Sequence, residues 1–525
     1  MCRLVILAAL VAVTIPVAHS ARIIGIFMTP SYSHQVVFQP IWKELSLQGH
    51  EVTVITPNPL NDPTLTNLTE IDIGEISYES WKKSSLSTLG MSAHSTMEEL
   101  KAITKAYIDV SHVQLSHPVF QKLIHEKSKE KYDLFLVEYL WPTMYPFKDI
   151  FDCPMVGIVS LPLLSSAYVN LGIPRHPVLD PDYVLPFSTD LTFKERITST
   201  LFTLLNTIGG PLTLKPKINA VTKQYFGDDV RDYREIAKEV SLVIANSNLA
   251  TQNVKLGVPQ LVEISGIHIK PKKPLPKDLQ KILDDATEGV IYFSLGSNVK
   301  SSQLPKEKIE EFMNAFVGLP YKVLWKFETD DIPNLPKNVV VRKWLPQQDL
   351  LGHPNVKLFI TQGGLQSIDE ALANKVPVLT IPFFGDQRFN SDRMFRNGGG
   401  LMINFHSFTS EEMREKILTL LTDKRYQEKI NQLSEIAFDH PMSPVDKAVW
   451  HINYVLRHKG ADHLRHKAVN MPWYQFQMLD VYAVLVISLA IILTIISKIT
   501  FKVFKGVKSV VRSLGIMTPT KKKVL

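Results

Sequence analysis

Short apolar runs alternate with amphipathic stretches along this chain, in two separate series, and that alternation limits the folds open to it. In the first series Arg22–Phe27 reads as a strand, Met28–His34 as a loop with Pro30 and serines, and Val36–Leu47 as a helix with Trp42 and Leu45 on its apolar side. Gly49 ends that helix, and Glu51–Ile55 is the next strand, closed by Pro57. A strand, a helix and a strand in succession imply a parallel sheet. Tyr132–Val137 and Met155–Val159 read as further buried strands. The second series has strands at Gly289–Leu295, Tyr321–Lys326, Val339–Arg342, Val356–Ile360 and Val378–Ile381, with helices between, including Pro305–Phe316. Lys270-Pro-Lys-Lys-Pro-Leu-Pro276 is a linker by composition. Residues 185–240 are less regular and read as helical with an exposed or membrane-facing part. At 525 residues the chain is too long for one core, and the pattern gives two doubly wound α/β domains, 21–270 and 271–445.

The ends carry a different message. Met-Cys-Arg, an apolar run Leu4–Val17 and Ala18-His19-Ser20 have the parts of a signal peptide over 1–20; the competing reading is a buried first strand. Residues 446–478 form C-terminal helices and a juxtamembrane segment, and 479–497 are almost wholly apolar, enough to cross a hydrocarbon core of roughly 30 Å. Trp473, Tyr474 and Tyr482 lie where an interfacial aromatic belt belongs. The net charge of +7 does not point to nucleic acid, because residues 498–525 alone hold eight basic residues and no acid. That charge step makes 498–525 a cytosolic tail and the large part lumenal, a single-pass type I arrangement with membrane lipids as partners. Lys522-Lys523 near the end resembles the dilysine signal for return to the endoplasmic reticulum. Asn67-Leu68-Thr69 is a glycosylation sequon. The two cysteines, Cys2 and Cys153, give no intrachain disulfide framework once the leader is removed.

Ligands of doubly wound sheets bind beyond the carboxyl ends of the strands, so the loops there carry the chemistry. Ser31-Tyr32-Ser33-His34 follows the first strand. His34 can accept a proton near neutral pH, and Glu138, ending another strand, would come to the same edge and hold its tautomer. On spacing alone, however, the segment reads better as a polar loop without chemistry. Phe293-Ser-Leu-Gly-Ser297 is a strand turning into a polar loop that can meet a phosphate. The strongest run is Trp344-Leu-Pro-Gln347, His353-Pro354, Thr361-Gln362-Gly363-Gly364-Leu365-Gln366-Ser367, Glu370 and Asp386-Gln387. Trp344 offers a flat face for a base, Gly363 and Gly364 let the backbone approach, and the following helix N-terminus favours an anion. Glu370 can accept both hydroxyls of a ribose, and Asp386-Gln387 can bond a sugar. Ser367 and Glu370 are alternatively a capping box.

Residues 344–387 resemble the signature of the UDP-glycosyltransferase family. The likeness extends to Ser-Tyr-Ser-His34, Phe-Ser-Leu-Gly-Ser297, Arg457-His-Lys-Gly460 and Trp473-Tyr474-Gln475, and so covers essentially the whole chain. The resemblance implies the GT-B fold, two Rossmann-like domains facing a cleft, with one C-terminal transmembrane helix. It implies that Trp344 stacks on uracil and Gln347 bonds the uridine. Ser297, Gln362, Gly364 and Ser367 would line the diphosphate, Gln366, at a position where the family often has Asn, would also face the donor, Glu370 would hold the ribose, and Asp386 and Gln387 the transferred sugar. His34 would be the base of an inverting displacement that uses no metal or cofactor, the UDP-sugar being a co-substrate and the acceptor a small lipophilic alcohol or phenol. A homo-oligomer is compatible with this.

Two further positions depart from the family's pattern. Gln362 stands where the family usually has His before the Gly-Gly pair; Gln can donate a hydrogen bond but never becomes cationic. Thr-Gln-Gly-Gly-Leu-Gln-Ser resembles insect members and the baculovirus ecdysteroid glucosyltransferases, which implies glucose as the sugar, whereas vertebrate relatives use glucuronate. Glu138 stands where the family's His-orienting Asp aligns, with Asp133 the runner-up. A silent nucleotide-sugar or lipophile-binding protein of the same fold is the rival reading, and the intact His34, Trp344, Glu370 and Asp386-Gln387 argue against it.

Overall fold

The computed structural model describes residues 20–84, 96–126, 131–329 and 332–515. The proposed leader, apart from Ser20, and the terminal dilysine lie outside these. Two parallel sheets organise the chain up to His466. The first has seven strands: β1 (Arg22–Ile26), β2 (Glu51–Thr56), β3 (Leu68–Asp72), β4 (Leu134–Glu138), β5 (Met155–Val159), β6 (Leu242–Asn246) and β7 (Leu261–Ile264), in the order β3-β2-β1-β4-β5-β6-β7. The second has six: β8 (Val290–Ser294), β9 (Lys322–Lys326), β10 (Val339–Arg342), β11 (Val356–Thr361), β12 (Val378–Thr380) and β13 (Gly400–Met402), in the order β10-β9-β8-β11-β12-β13. In each, the chain winds outward from the first strand, then returns to its other side. The order therefore reverses between β1 and β4 and again between β8 and β11, and the strand ends leave a crevice at such a reversal.

Period-two side-chain alternation explains why these segments are central strands. On β4, Leu134 and Leu136 enter one core while Phe135 and Val137 enter the other. On β8, Val290 and Tyr292 face one layer and Ile291 and Phe293 the opposite one. The helix Tyr32–Leu47 covers the first sheet with Phe38, Ile41, Trp42 and Leu45, all fully buried. It starts earlier than the apolar periodicity suggests, so His34 stands in its first turn and not in a loop. The helix Pro444–Arg457 follows the second domain in sequence, yet Ala448, Val449, Ile452 and Val455 belong to the core of the first sheet.

The 185–240 region is helical, with Phe193–Leu204, a π-helical turn Leu205–Gly209, and Gly210–Phe226. In the first of these, Phe193, Ile197, Leu201 and Leu204 are exposed while Ser199 is buried. Those four fall on one stripe at helical spacing, so this helix turns an apolar face outward.

Residues from Lys467 onward form a separate unit. Its long helix, Leu479–Ser513, is long and apolar enough to cross a membrane. It runs sixteen residues past the apolar stretch of 479–497. Lys498, Lys502, Lys505 and Arg512 recur at spacings of three, four and seven and line one side of that extension.

Candidate active site

The loops after β1, β8 and β11 line a single cleft of about 350 Å³. His34, Ser297, Trp344, Gln347, Gln362, Gly364, Gln366, Ser367, Glu370, Asp386 and Gln387 all line it. Eleven of the twelve site residues expected from the sequence thus converge, although His34 and Gln387 are more than three hundred positions apart. Glu138 does not line it.

At one end of the cleft, Trp344 is 61% exposed, which leaves its ring open to a ligand. Tyr32 meets it edge-on, with ring centroids 5.9 Å apart and planes at 83°. The Lys326 ammonium lies 5.5 Å from the same ring. Gln347 opens the short helix Gln347–Leu351; its Nε2 donates to Glu370 Oε2 at 2.6 Å and to Ser367 Oγ at 3.1 Å, and its Oε1 accepts from the Tyr292 hydroxyl at 3.0 Å. Gln348 Nε2 donates to Glu370 Oε1 at 3.1 Å. Both Glu370 oxygens are therefore held by amides. Burial, offset by these bonds, pushes its carboxyl up to about 7. The capping-box alternative for Ser367 and Glu370 is not realised: Gly364 is the N-cap of the helix Leu365–Ala373, and both residues lie inside it.

The corner of the cleft at Gly296, Gln362 and Gly364 is built from glycine and amide. Gly363 has φ +85°, and a Cβ there would come within 2.5 Å of Ser391 Oγ. Gly296, at φ +78°, leaves room for the Gln362 side chain, which a Cβ would meet at 2.2 Å. Gln362 Oε1 accepts from Thr361 Oγ1 at 2.9 Å, which directs its amide nitrogen away from that hydroxyl. The first N–H groups of the helix Leu365–Ala373 have no side-chain cap, apart from Leu365 N, which donates to Asp386 Oδ2 at 3.3 Å. Free N–H groups at a helix start are anion donors.

Asp386 also accepts from Asn390 Nδ2 at 2.7 Å, and Asn390 bonds the Gly363 carbonyl at 3.0 Å. Burial, offset by these bonds, pushes the Asp386 carboxyl up to about 6. Gln387 Oε1 accepts from Phe383 N and Phe384 N at 2.8 and 3.2 Å.

His34 differs from expectation in its partner. His34 Nδ1 lies 2.6 Å from Ser160 Oγ. Burial lowers the imidazole to about 4, so the ring is neutral near pH 7. Glu138 does reach the carboxyl edge of the sheet but is spent elsewhere. Its Oε2 accepts from Met28 N at 2.7 Å and Thr29 N at 2.8 Å, and its Oε1 accepts from the Thr29 hydroxyl. Trp141 Nε1 in turn donates to Thr29 Oγ1 at 2.8 Å. This buried carboxyl braces the turn that leaves β1, and burial raises it to about 7. Asp133 precedes β4, at the amino edge, where it accepts from Arg22 N at 2.8 Å. The strand separates it from His34. Asn67 is exposed in the turn before β3.

Ser160, Tyr32, Tyr292, Lys326 and Asn390 had no signal at the sequence level. Each is an ordinary residue type whose role depends on contacts across the fold. Tyr32, beside His34 in the Ser-Tyr-Ser-His run, is the one whose position invited attention.

The sheet orders and the cleft lined from the loops at both switch points define a two-domain protein of GT-B architecture. The sequence matches the family model for UDP-glucuronosyl and UDP-glucosyl transferases over residues 25–513, and the chain belongs to that family. It is 35% identical to the UDP-glycosyltransferase UGT5 of Dactylopius coccus, covering 97% of both chains. It is 30% identical to the ecdysteroid UDP-glucosyltransferase of Spodoptera littoralis nuclear polyhedrosis virus, covering 90% of this chain and 94% of that one. Human UDP-glucuronosyltransferase 1A7 is also 30% identical, with 90% and 89% covered. Among solved structures, the glycosyltransferase VinC in complex with DTDP aligns over 84% of this chain and all of its own, at TM-score 0.56 and 16% identity, a likeness of fold. The enzyme transfers a sugar from a UDP-sugar to an acceptor, and its fold is the GT-B type with a C-terminal apolar helix.

Proposed function

We propose that the enzyme transfers glucose from UDP-glucose to the hydroxyl of a small lipophilic acceptor, by direct displacement with inversion and with His34 as general base. The observation that carries this reading is that a neutral, half-buried histidine lines the same cleft as ten residues suited to a UDP-sugar. His34 Nε2 takes the acceptor proton as the acceptor oxygen forms its bond to the anomeric carbon. The bond from that carbon to the phosphate oxygen breaks, and UDP leaves with the electron pair. Ser297, the Gln362 amide and the N–H groups at the start of Leu365–Ala373 stabilise the charge that develops on the diphosphate. Glu370 receives the ribose hydroxyls in place of the amides it now holds.

Glucose is favoured over glucuronate by the charge at the sugar end. A carboxylate on the sugar would meet Asp386, and the adjacent cation is committed: the Arg388 guanidinium pairs with Glu99 and donates to the Phe383 carbonyl. Relatives named as glucosyltransferases support the same choice. Turnover of a mixed phenol and steroid panel with UDP-glucose and UDP-glucuronate, read by product mass, tests it. Hexosides alone are expected; glucuronides as the main product would reverse the donor assignment.

The apolar stripe on Phe193–Leu204, flanked by Lys194 and Arg196, supports contact with a lipid surface. The helix Leu479–Ser513 supports a membrane anchor, and its basic extension a cytosolic end in a type I arrangement at the endoplasmic reticulum.

A further inference from the structure

We propose that Ser160 is the positioning residue for His34, and that through Gln366 it ties the base to the seating of the donor-binding segment. This rests on the reading of His34 as base.

Ser160 directly follows β5 and is fully buried. Its two polar groups point to opposite halves of the machinery. The hydroxyl oxygen is 2.6 Å from His34 Nδ1. The carbonyl accepts from Gln366 Nε2 at 2.9 Å, and also from Asn246 Nδ2 at 3.2 Å. Gln366 sits in the first turn of Leu365–Ala373, where the N–H groups face the diphosphate site. One residue of the first domain thus holds the base with its side chain and the donor segment with its main chain.

The chemistry fits a serine. For Nε2 to accept a proton, Nδ1 must carry the ring hydrogen, and a hydroxyl oxygen at 2.6 Å is the acceptor that holds that tautomer. Ser160 gains and loses no proton in the reaction. Among the described residues no carboxylate bonds His34, because Glu138 is occupied by Met28 and Thr29. The departures at 138 and 366 then have a common consequence. A serine replaces the carboxylate as orienter, and Gln366, one methylene longer than the Asn often found there, spans the distance to the Ser160 carbonyl.

The test uses the full-length enzyme with Ser160→Ala, Ser160→Thr, Gln366→Asn, the Ser160→Ala/Gln366→Asn double variant, and His34→Ala in parallel. Removing the orienting hydroxyl should lower kcat about 10- to 100-fold, part of what a general base supplies. UDP affinity by calorimetry should stay within about twofold, since no donor contact is lost. Ser160→Thr, which keeps the hydroxyl, should recover most of the loss. Gln366→Asn should also lower kcat, and the double variant should be no worse than Ser160→Ala alone, the mark of residues acting through one another. Ser160→Ala turning over within twofold of wild type, or losses that multiply in the double variant, would overturn the proposal. An inactive His34→Ala beside a fully active Ser160→Ala refutes the positioning role alone. A fully active His34→Ala refutes the base reading itself.

Discussion

At the carboxyl edge of the first sheet, Glu138 braces the backbone of Met28 and Thr29 while His34 bonds Ser160. Both were expected at the carboxyl edge of the first sheet because each follows a strand, and both are there. Which side chains touch is decided by arm length and rotamer, and at this corner the backbone N–H groups of Met28 and Thr29 take the carboxyl. Truncation by Glu138→Ala leaves both donors buried without an acceptor, and stability should fall by on the order of 3 kcal/mol in denaturant melts. Glu138→Gln keeps an acceptor and removes the titration. The native carboxyl is raised to about 7 from 4.5, so the folded state binds the extra proton between those values. Wild-type stability should therefore fall as pH rises from about 5 to 8, and Glu138→Gln should flatten part of that slope in thermal melts. An unchanged slope would show that Glu138 does not titrate there. Glu370 predicts a second pH effect. Its raised carboxyl, about 7, should impose an acid limb on kcat/KM for the donor, and Glu370→Gln should lose that limb while raising the donor KM.

At the scale of elements, most central strands were legible because a buried parallel strand reads as a continuous apolar run; β5 falls on the expected boundaries, but the central, fully buried β6 was not among the expected strands. β3 was not legible, since Leu68–Asp72 is an edge strand with a largely polar, partly exposed sequence, and β13 has only three residues, starting with Gly400. The convergence of Trp344, Gln347, Gln362, Glu370 and Asp386 on one cleft was legible because these residues lie close in sequence at the ends of successive strands. The Ser160–His34 contact was not, because 126 residues separate its partners and a serine after a strand carries no signal. Gly363 carries a firm element-scale prediction. Gly363→Ala forces a side chain onto a backbone at φ +85° and against Ser391 Oγ, so the Thr361–Gly364 turn must move. Donor KM should rise at least tenfold, and an unaffected KM would mean that the turn does not face the diphosphate. The helix Phe193–Leu204 predicts the reverse of a core position. Leu201→Asp should change thermal stability by less than about 0.5 kcal/mol, as at a surface site. The same change should weaken quenching of a fluorophore placed at Phe193 by brominated lipid in nanodiscs.

At the scale of the molecule up to His466, polar contacts join the two domains around the cleft. Asn248 Nδ2 donates to Asp369 Oδ1 at 3.1 Å, Ser188 N and Oγ donate to Asp392 Oδ2 at 2.9 and 2.6 Å, and Asn298 Nδ2 donates to Ser31 Oγ at 3.1 Å. With the helix Pro444–Arg457 returning to the first sheet, the second domain is tied to the first both at the cleft and behind it. This arrangement brings His34, near the start of the chain, to the Trp344–Gln387 run three hundred residues later, and the central claim is that the two form one active site. The most direct measurement pairs UDP binding by calorimetry with glycoside formation by product mass, on wild type and His34→Ala. The expected result is unaltered UDP affinity and glycoside formation reduced at least a hundredfold in His34→Ala. Equal product formation by both proteins would contradict the claim.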